Sequence, residues 1–196
     1  MNRLSAGVAL LAATTLLAAG CGSRAGDDTA ATEGCADTSG PQVSIGAINS
    51  LSGGLAVSES VIHDAIAMAV DEINADGGVL GKQLDLLSED GASDPTVFAE
   101  KANKLVNSDC VAAVFGGYTS ASRKAMLPVF EDNNSLLYYP VQYEGLESSP
   151  NIFYTGATTN QQIVPALDYL KEKGTKSLYL VGSDYVFPQT ANRIIK

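Results

Sequence analysis

The chain has 196 residues, 45% of them hydrophobic and 17% charged, with 19 Gly and 7 Pro; this is the composition of a globular protein and excludes collagenous, low-complexity and disordered classes. Twelve Lys and Arg against 22 Asp and Glu give a formal net charge of −10, so phosphate backbones and anionic bilayers are repelled at long range and no nucleic-acid partner is expected. A single histidine, His63, removes most metal and histidine-based catalytic chemistries from consideration.

Residues 1–20 carry one cation, Arg3, followed by an apolar run over 6–19 broken only by Thr14 and Thr15. The run is shorter than the roughly 20 residues of a membrane-spanning helix and reads as a secretory signal peptide. It ends in Leu17-Ala18-Ala19-Gly20-Cys21-Gly22-Ser23, which resembles the lipobox of bacterial lipoproteins, although Ala18 stands where Leu is commoner. That resemblance implies a lipid on Cys21 and an extracytoplasmic protein touching the cell membrane through its anchor alone. The alternative is a plain secreted chain. Residues 21–41 are small, acidic and without apolar period, so they are expected to form a disordered tether. Cys35 and Cys110 then remain in a compartment that permits disulfides, each ahead of an apolar run, and they are expected to pair; two unrelated thiols are the alternative.

From residue 42 onward the pattern alternates strand and helix. A strand over 42–48 precedes a turn-rich stretch and a helix over 60–75, which Gly77-Gly78 closes. A strand at 83–89 leads to Asp94-Pro95, an N-cap followed by proline at the first helical position, with Phe98, Ala102, Leu105 and Val106 as the buried stripe. Strands follow at 110–116, 135–140 and 151–156, with a helix at 120–132 that contains Pro128. The order predicts an α/β fold, a doubly wound parallel sheet with helices on both faces, over 42–157. A helix at 160–173, a strand at 177–182 and a helix from about Pro188 then read as the start of a second α/β lobe over 158–196. One strand and two helices cannot cover their own apolar faces, so the chain is expected to be the N-terminal portion of a longer, bilobed protein.

Catalytic patterns fail. The loop after the first strand has no G-x-G-x-x-G, 77–83 has the wrong glycine interval for a phosphate-binding loop, and no G-x-S-x-G or S-x-x-K occurs. No catalytic residue, metal or cofactor is expected. What remains is a set of phenols and hydroxyls at strand C-terminal ends, where open α/β sheets present their ligand crevice. Ser50 and Ser52 follow the first strand; Tyr118, Thr119 and Ser120 follow the third; Tyr138, Tyr139 and Pro140, then Gln142, Tyr143 and Glu144, follow the fourth. Tyr154 and Thr155, then Asp184 and Tyr185, follow the next two. Rings supply flat walls and hydroxyls switch between donor and acceptor, which suits a small uncharged polar ligand. Core packing accounts for some of these tyrosines. The only cations nearby, Arg123 and Lys124, lie in the following helix.

At these residues the sequence is similar to a known family. Ser50-Leu51-Ser52-Gly53, Asp90-Gly91-Ala92-Ser93, the runs 116–131 and 138–170, and the run 180–188 resemble the urea-binding lipoprotein of urea ABC importers, within the branched-chain amino acid and amide-binding group of type I periplasmic binding proteins. The resemblance spans 43–196. It implies a bilobed non-enzymatic receptor that closes on urea and hands it to ABC permease subunits. The implied ligand wall is Ser52, Tyr118, Thr119, Ser120, Tyr139, Pro140, Gln142, Tyr143, Glu144, Tyr154, Asp184 and Tyr185. Urea members often have Trp at position 118 and His at position 49, where this chain has Tyr and Asn, which leaves a short aliphatic amide (acetamide, formamide) open as ligand; a branched-chain amino acid is a further alternative within the group. An amide-sensing regulator shares the fold, but such a cytosolic protein has no use for a signal peptide or Cys21.

Overall fold

A strand covered on both faces needs apolar residues on both, and Gln42–Asn49 (β1) meets that condition from Ile45 to Ile48, all buried, before it ends on the buried Asn49. In the computed structural model, which describes residues 35–196, this strand is the second of a parallel five-stranded sheet, paired on both sides. The other strands are Gln83–Asp90 (β2), Val114–Gly116 (β3), Leu137–Tyr139 (β4) and Ile152–Tyr154 (β5), and the spatial order is β2-β1-β3-β4-β5. The expected leader, Cys21 and most of the expected tether lie outside the described residues.

Ala56–Ala75 (α1) lies on one face and Pro95–Asn107 (α2) with Ser120–Asp132 (α3) on the other. Ile48, Val114, Leu137, Tyr139 and Ile152 pack with Phe98, Leu105, Met126 and Phe130 from α2 and α3 to form the core. Asp94 caps α2 as its sequence demands, its Oδ1 accepting from Thr96 N at 2.7 Å with Pro95 in the first turn. Thr119 caps α3 by accepting from Ser122 N at 3.0 Å, and the helix runs through Pro128.

Several expected boundaries shift. The first helix begins at Ala56 rather than 60, because Ser58 N and Glu59 N already donate to Leu55 O. The third strand contracts to Val114–Gly116, since Cys110 takes a left-handed φ of 53° that breaks the extended run. The fourth and fifth strands likewise shorten to three residues each. Residues 177–182, expected as a strand, form none: no strand among the described residues pairs with them, and Tyr179 (94% exposed) and Val181 (82%) face outward. Helices Thr159–Glu172 (α4) and Val186–Ile195 (α5) flank this segment, α4 without a single buried residue.

Cys35 and Cys110 are bonded, their Cα atoms 5.1 Å apart across 75 positions of sequence. A loop of that length loses considerable entropy on closure, so reduction, or replacement of both cysteines by Ala, is expected to lower the unfolding free energy by about 4 kcal/mol. Denaturant melts with and without reductant measure this; coincident curves would rule it out.

Candidate functional site

The strand order reverses direction between β1 and β3, and in open α/β sheets ligands sit beyond the carboxyl ends of the strands at that switch point. Two backbone features shape this place. Gly117 N donates to Ile48 O at 2.8 Å, and Gly116, at φ +129°, sits where a Cβ would come within 2.2 Å of Ile48 O. The chain therefore hugs the end of β1 before it turns out at Tyr118. On the other side of the crevice the Asp90 carboxylate accepts from Leu51 N (2.8 Å), Ser52 N (3.2 Å) and Ala92 N (2.8 Å), which ties the loop after β1 to the loop after β2 and holds Ser52 at an exposed rim. These bonds keep the Asp90 carboxyl below its usual range against the opposing effect of burial.

At the floor, Asn49 and Glu59 are fully buried. Glu59 Oε2 accepts from Ser50 N at 2.7 Å, while Glu59 Oε1 and both side-chain atoms of Asn49 have no hydrogen-bond partner among the described residues. Burial pushes the Glu59 carboxyl up.

The tyrosines do not form one wall. Adjacent residues on a strand point to opposite faces, so Tyr138 and Tyr139 part company. Tyr138 stacks between Phe115 and Phe153 (centroids 4.9 and 4.7 Å) on the α1 side, where it lines an apolar groove of ≈ 380 Å³ with Pro140, Thr155, Ile62 and Ile66. Pro140 thus belongs to that groove. Tyr139, Tyr143 and Tyr154 turn inward toward α3 and surround Arg123, whose guanidinium carbon lies 4.9, 4.9 and 5.8 Å from the three ring centres.

Arg123 is 0% exposed and is the hub of the region. Its Nε donates to Glu147 Oε1 at 2.8 Å, its NH2 to Glu144 Oε1 at 3.2 Å and to Glu147 Oε2 at 3.3 Å, and its NH1 to Ser120 Oγ at 3.0 Å. Ser120 Oγ in turn donates to Glu144 Oε2 at 2.6 Å, and Tyr154 OH to Glu147 Oε1 at 2.7 Å. Lys124 Nζ pairs with both carboxylates from the surface. Two cations against two carboxylates leave the cluster neutral. Burial drives the Tyr139 phenol up to about 12, and its OH donates to Tyr118 O at 2.6 Å. In this way the hub props the backbone of the crevice wall.

Burial alone would raise the Glu147 carboxyl, yet the bonds from Arg123, Lys124 and Tyr154 bring it down from 4.5 to about 2. Below both values it is protonated folded and unfolded alike and adds nothing; above 4.5 its stabilisation is complete. Stability is therefore expected to fall as pH drops from about 4.5 toward 2, and Glu147→Gln to flatten that slope. Acid melts of the two proteins check it, and parallel curves would contradict it.

Of the residues expected to line a ligand, Tyr118 and Tyr185 meet the description best. Both are half-buried. Tyr185 sits at the N-cap of α5 close enough to Tyr118 and Glu144 that, after burial, these two groups add to the rise of its phenol. Ser120 and Glu144 lie beside them, buried. Thr119 serves as a helix cap, while Gln142 and Asp184 are exposed, Asp184 Oδ1 accepting from Gln189 Nε2 at 2.6 Å. Arg123, Glu147, Asn49 and Glu59 were not among the expected residues. The i, i+3 spacing of Ser120 with Arg123 places both on one face of α3, but nothing in the sequence ties that face to Glu144 and Glu147.

Residues 43–196 match the periplasmic binding protein domain. The Leu/Ile/Val-binding protein of Escherichia coli (strain K12) is 31% identical over 98 residues, 50% of this chain and 26% of its own length. Among solved structures, the branched-chain amino acid transporter substrate binding protein LivJ from Streptococcus pneumoniae, in complex with isoleucine, aligns with a TM-score of 0.64 and 28% identity over 67% of this chain and 38% of its own. A solute binding protein of an ABC transporter from Rhodopseudomonas palustris BisB5 shares the fold at a TM-score of 0.71 and 24% identity, over 80% of this chain and 43% of its own. The chain thus spans well under half the length of these proteins. With its parallel sheet, its strand order and its match across 43–196, the chain belongs to the periplasmic binding protein domain family.

Proposed function

We propose that this is the extracytoplasmic receptor of an ABC importer and that its ligand is urea, held without covalent chemistry in the crevice between Tyr118 and Tyr185. One observation carries the choice of ligand: Arg123, the only buried cation among the described residues, is already matched by Glu144 and Glu147, so a neutral guest needs no counter-charge on entry while an anion finds no unmatched cation. Glu144, with both oxygens held and lone pairs to spare, accepts from the guest's N–H groups, and the Tyr118 and Tyr185 hydroxyls complete the hydrogen bonds. In this reading residues 158–196 open a second lobe, closure of the two lobes encloses the ligand, and Cys21 carries the lipid that keeps the receptor beside its permease.

A branched-chain amino acid is the second reading, favoured by the ligand named for the E. coli and S. pneumoniae proteins. Its carboxylate requires a donor set that Arg123 does not leave free. Calorimetric titration of the intact protein with urea, acetamide and leucine separates the readings. Heat from urea or the amide and none from leucine supports the first; saturable leucine binding without urea binding rejects it.

A further inference from the structure

The Arg123 hub contains an arrangement that its structural role does not require. Ser120 and Arg123 stand one turn apart on α3, and together they offer a hydroxyl and a guanidinium NH2 to one carboxylate. Each oxygen of Glu144 takes its own donor, 2.6 Å from Ser120 Oγ and 3.2 Å from Arg123 NH2, which is the two-point geometry by which an arginine site holds a free carboxylate. The carboxylate comes from outside the helix. Glu144 lies on the irregular stretch between β4 and β5, 24 residues after Ser120 in sequence. Arg123 does not depend on it for position, because Glu147 holds its Nε and NH2 and the rings of Tyr139 and Tyr143 enclose its plane. Donors that stay aimed when their occupant leaves form a preformed anion site.

We propose that Glu144 is a built-in occupant of an anion cradle made by Arg123 and Ser120, and that its presence closes the crevice to ligands bearing a carboxylate. The inference rests on the crevice assigned above and makes Glu144 the residue that sets ligand charge. While Glu144 is seated, an incoming carboxylate meets a like charge and no unmatched cation. A neutral guest meets only the spare lone pairs of Glu144.

Acetate and urea are planar, of the same shape and nearly the same size, and differ in charge, so they probe the cradle directly. In the intact protein Glu144→Ala empties the cradle without touching Arg123. Acetate is expected to leave the wild-type melting temperature unchanged and to raise that of the variant, with the acetate-to-urea affinity ratio shifted by about tenfold or more toward acetate. Adding Arg123→Met to the variant is expected to abolish the response. If Glu144→Ala does not fold, Glu144→Ser serves, and refolding of either variant that depends on acetate supports the cradle. A folded variant indifferent to acetate, variants that stay unfolded at every acetate concentration, or a wild type that binds acetate as well as urea would overturn it. The two readings fail separately: acetate stabilising Glu144→Ala in a protein that never binds urea leaves the cradle standing and removes the urea assignment. Urea binding to a wild type whose variant ignores acetate does the reverse.

Discussion

Arg123→Met is expected to lower the unfolding free energy by about 3–5 kcal/mol, because it strands the Glu144 and Glu147 carboxylates in the interior without their cation. The two groups are 3% and 9% exposed at the side chain, and Lys124, at the surface, compensates them only in part. Loss of the guanidinium also removes the partner enclosed by Tyr139 and Tyr143. Charge and packing separate in a triple variant that adds Glu144→Gln and Glu147→Gln: if stranded charge dominates, more than half of the loss returns. Urea denaturation is unsuitable where urea is a candidate ligand, so guanidinium chloride melts measure this. A single variant as stable as the wild type would mean that the hub is not the clamp between α3 and the β4–β5 loop.

The second large effect falls on affinity rather than on stability. Tyr118→Ala and Tyr185→Ala each remove a half-buried ring and a hydroxyl from the crevice, and each is expected to weaken ligand binding by about 2–3 kcal/mol with little change in melting temperature. Tyr139→Ala is expected to behave in the opposite way, costing stability first, since its ring is fully buried against Arg123. Equal losses of stability in all three variants, with affinity untouched, would make Tyr118 and Tyr185 packing residues like Tyr139.

The contrast shows what was legible in the sequence. Order and sheet type followed from hydrophobic period and from connections too long for hairpins, and the α2 start was readable to the residue because Asp94 and Pro95 have one physical reading together. The same period places side chains along a strand end but does not say which of them a neighbouring element will claim. Tyr138 and Tyr139 had to face apart by the pleat alone, and the ring of Phe115 and Phe153 took the first while Arg123 took the second. Nothing local in the sequence marks Arg123 as buried, since a cation on a helix is usually solvated. Its burial depends on two glutamates more than twenty positions downstream, a pairing that only the fold brings together. The unpaired 177–182 segment has a different origin: a strand exists only beside another strand, and its own residues cannot supply one.

The most direct test of a neutral-ligand crevice is a crystal structure of the intact protein grown with urea and, separately, with leucine. The account predicts density for urea between Tyr118 and Tyr185, within hydrogen-bonding distance of Glu144, with the Arg123–Glu144 pair still closed. Leucine bound in that place, its carboxylate on Arg123 and Glu144 displaced, would contradict it.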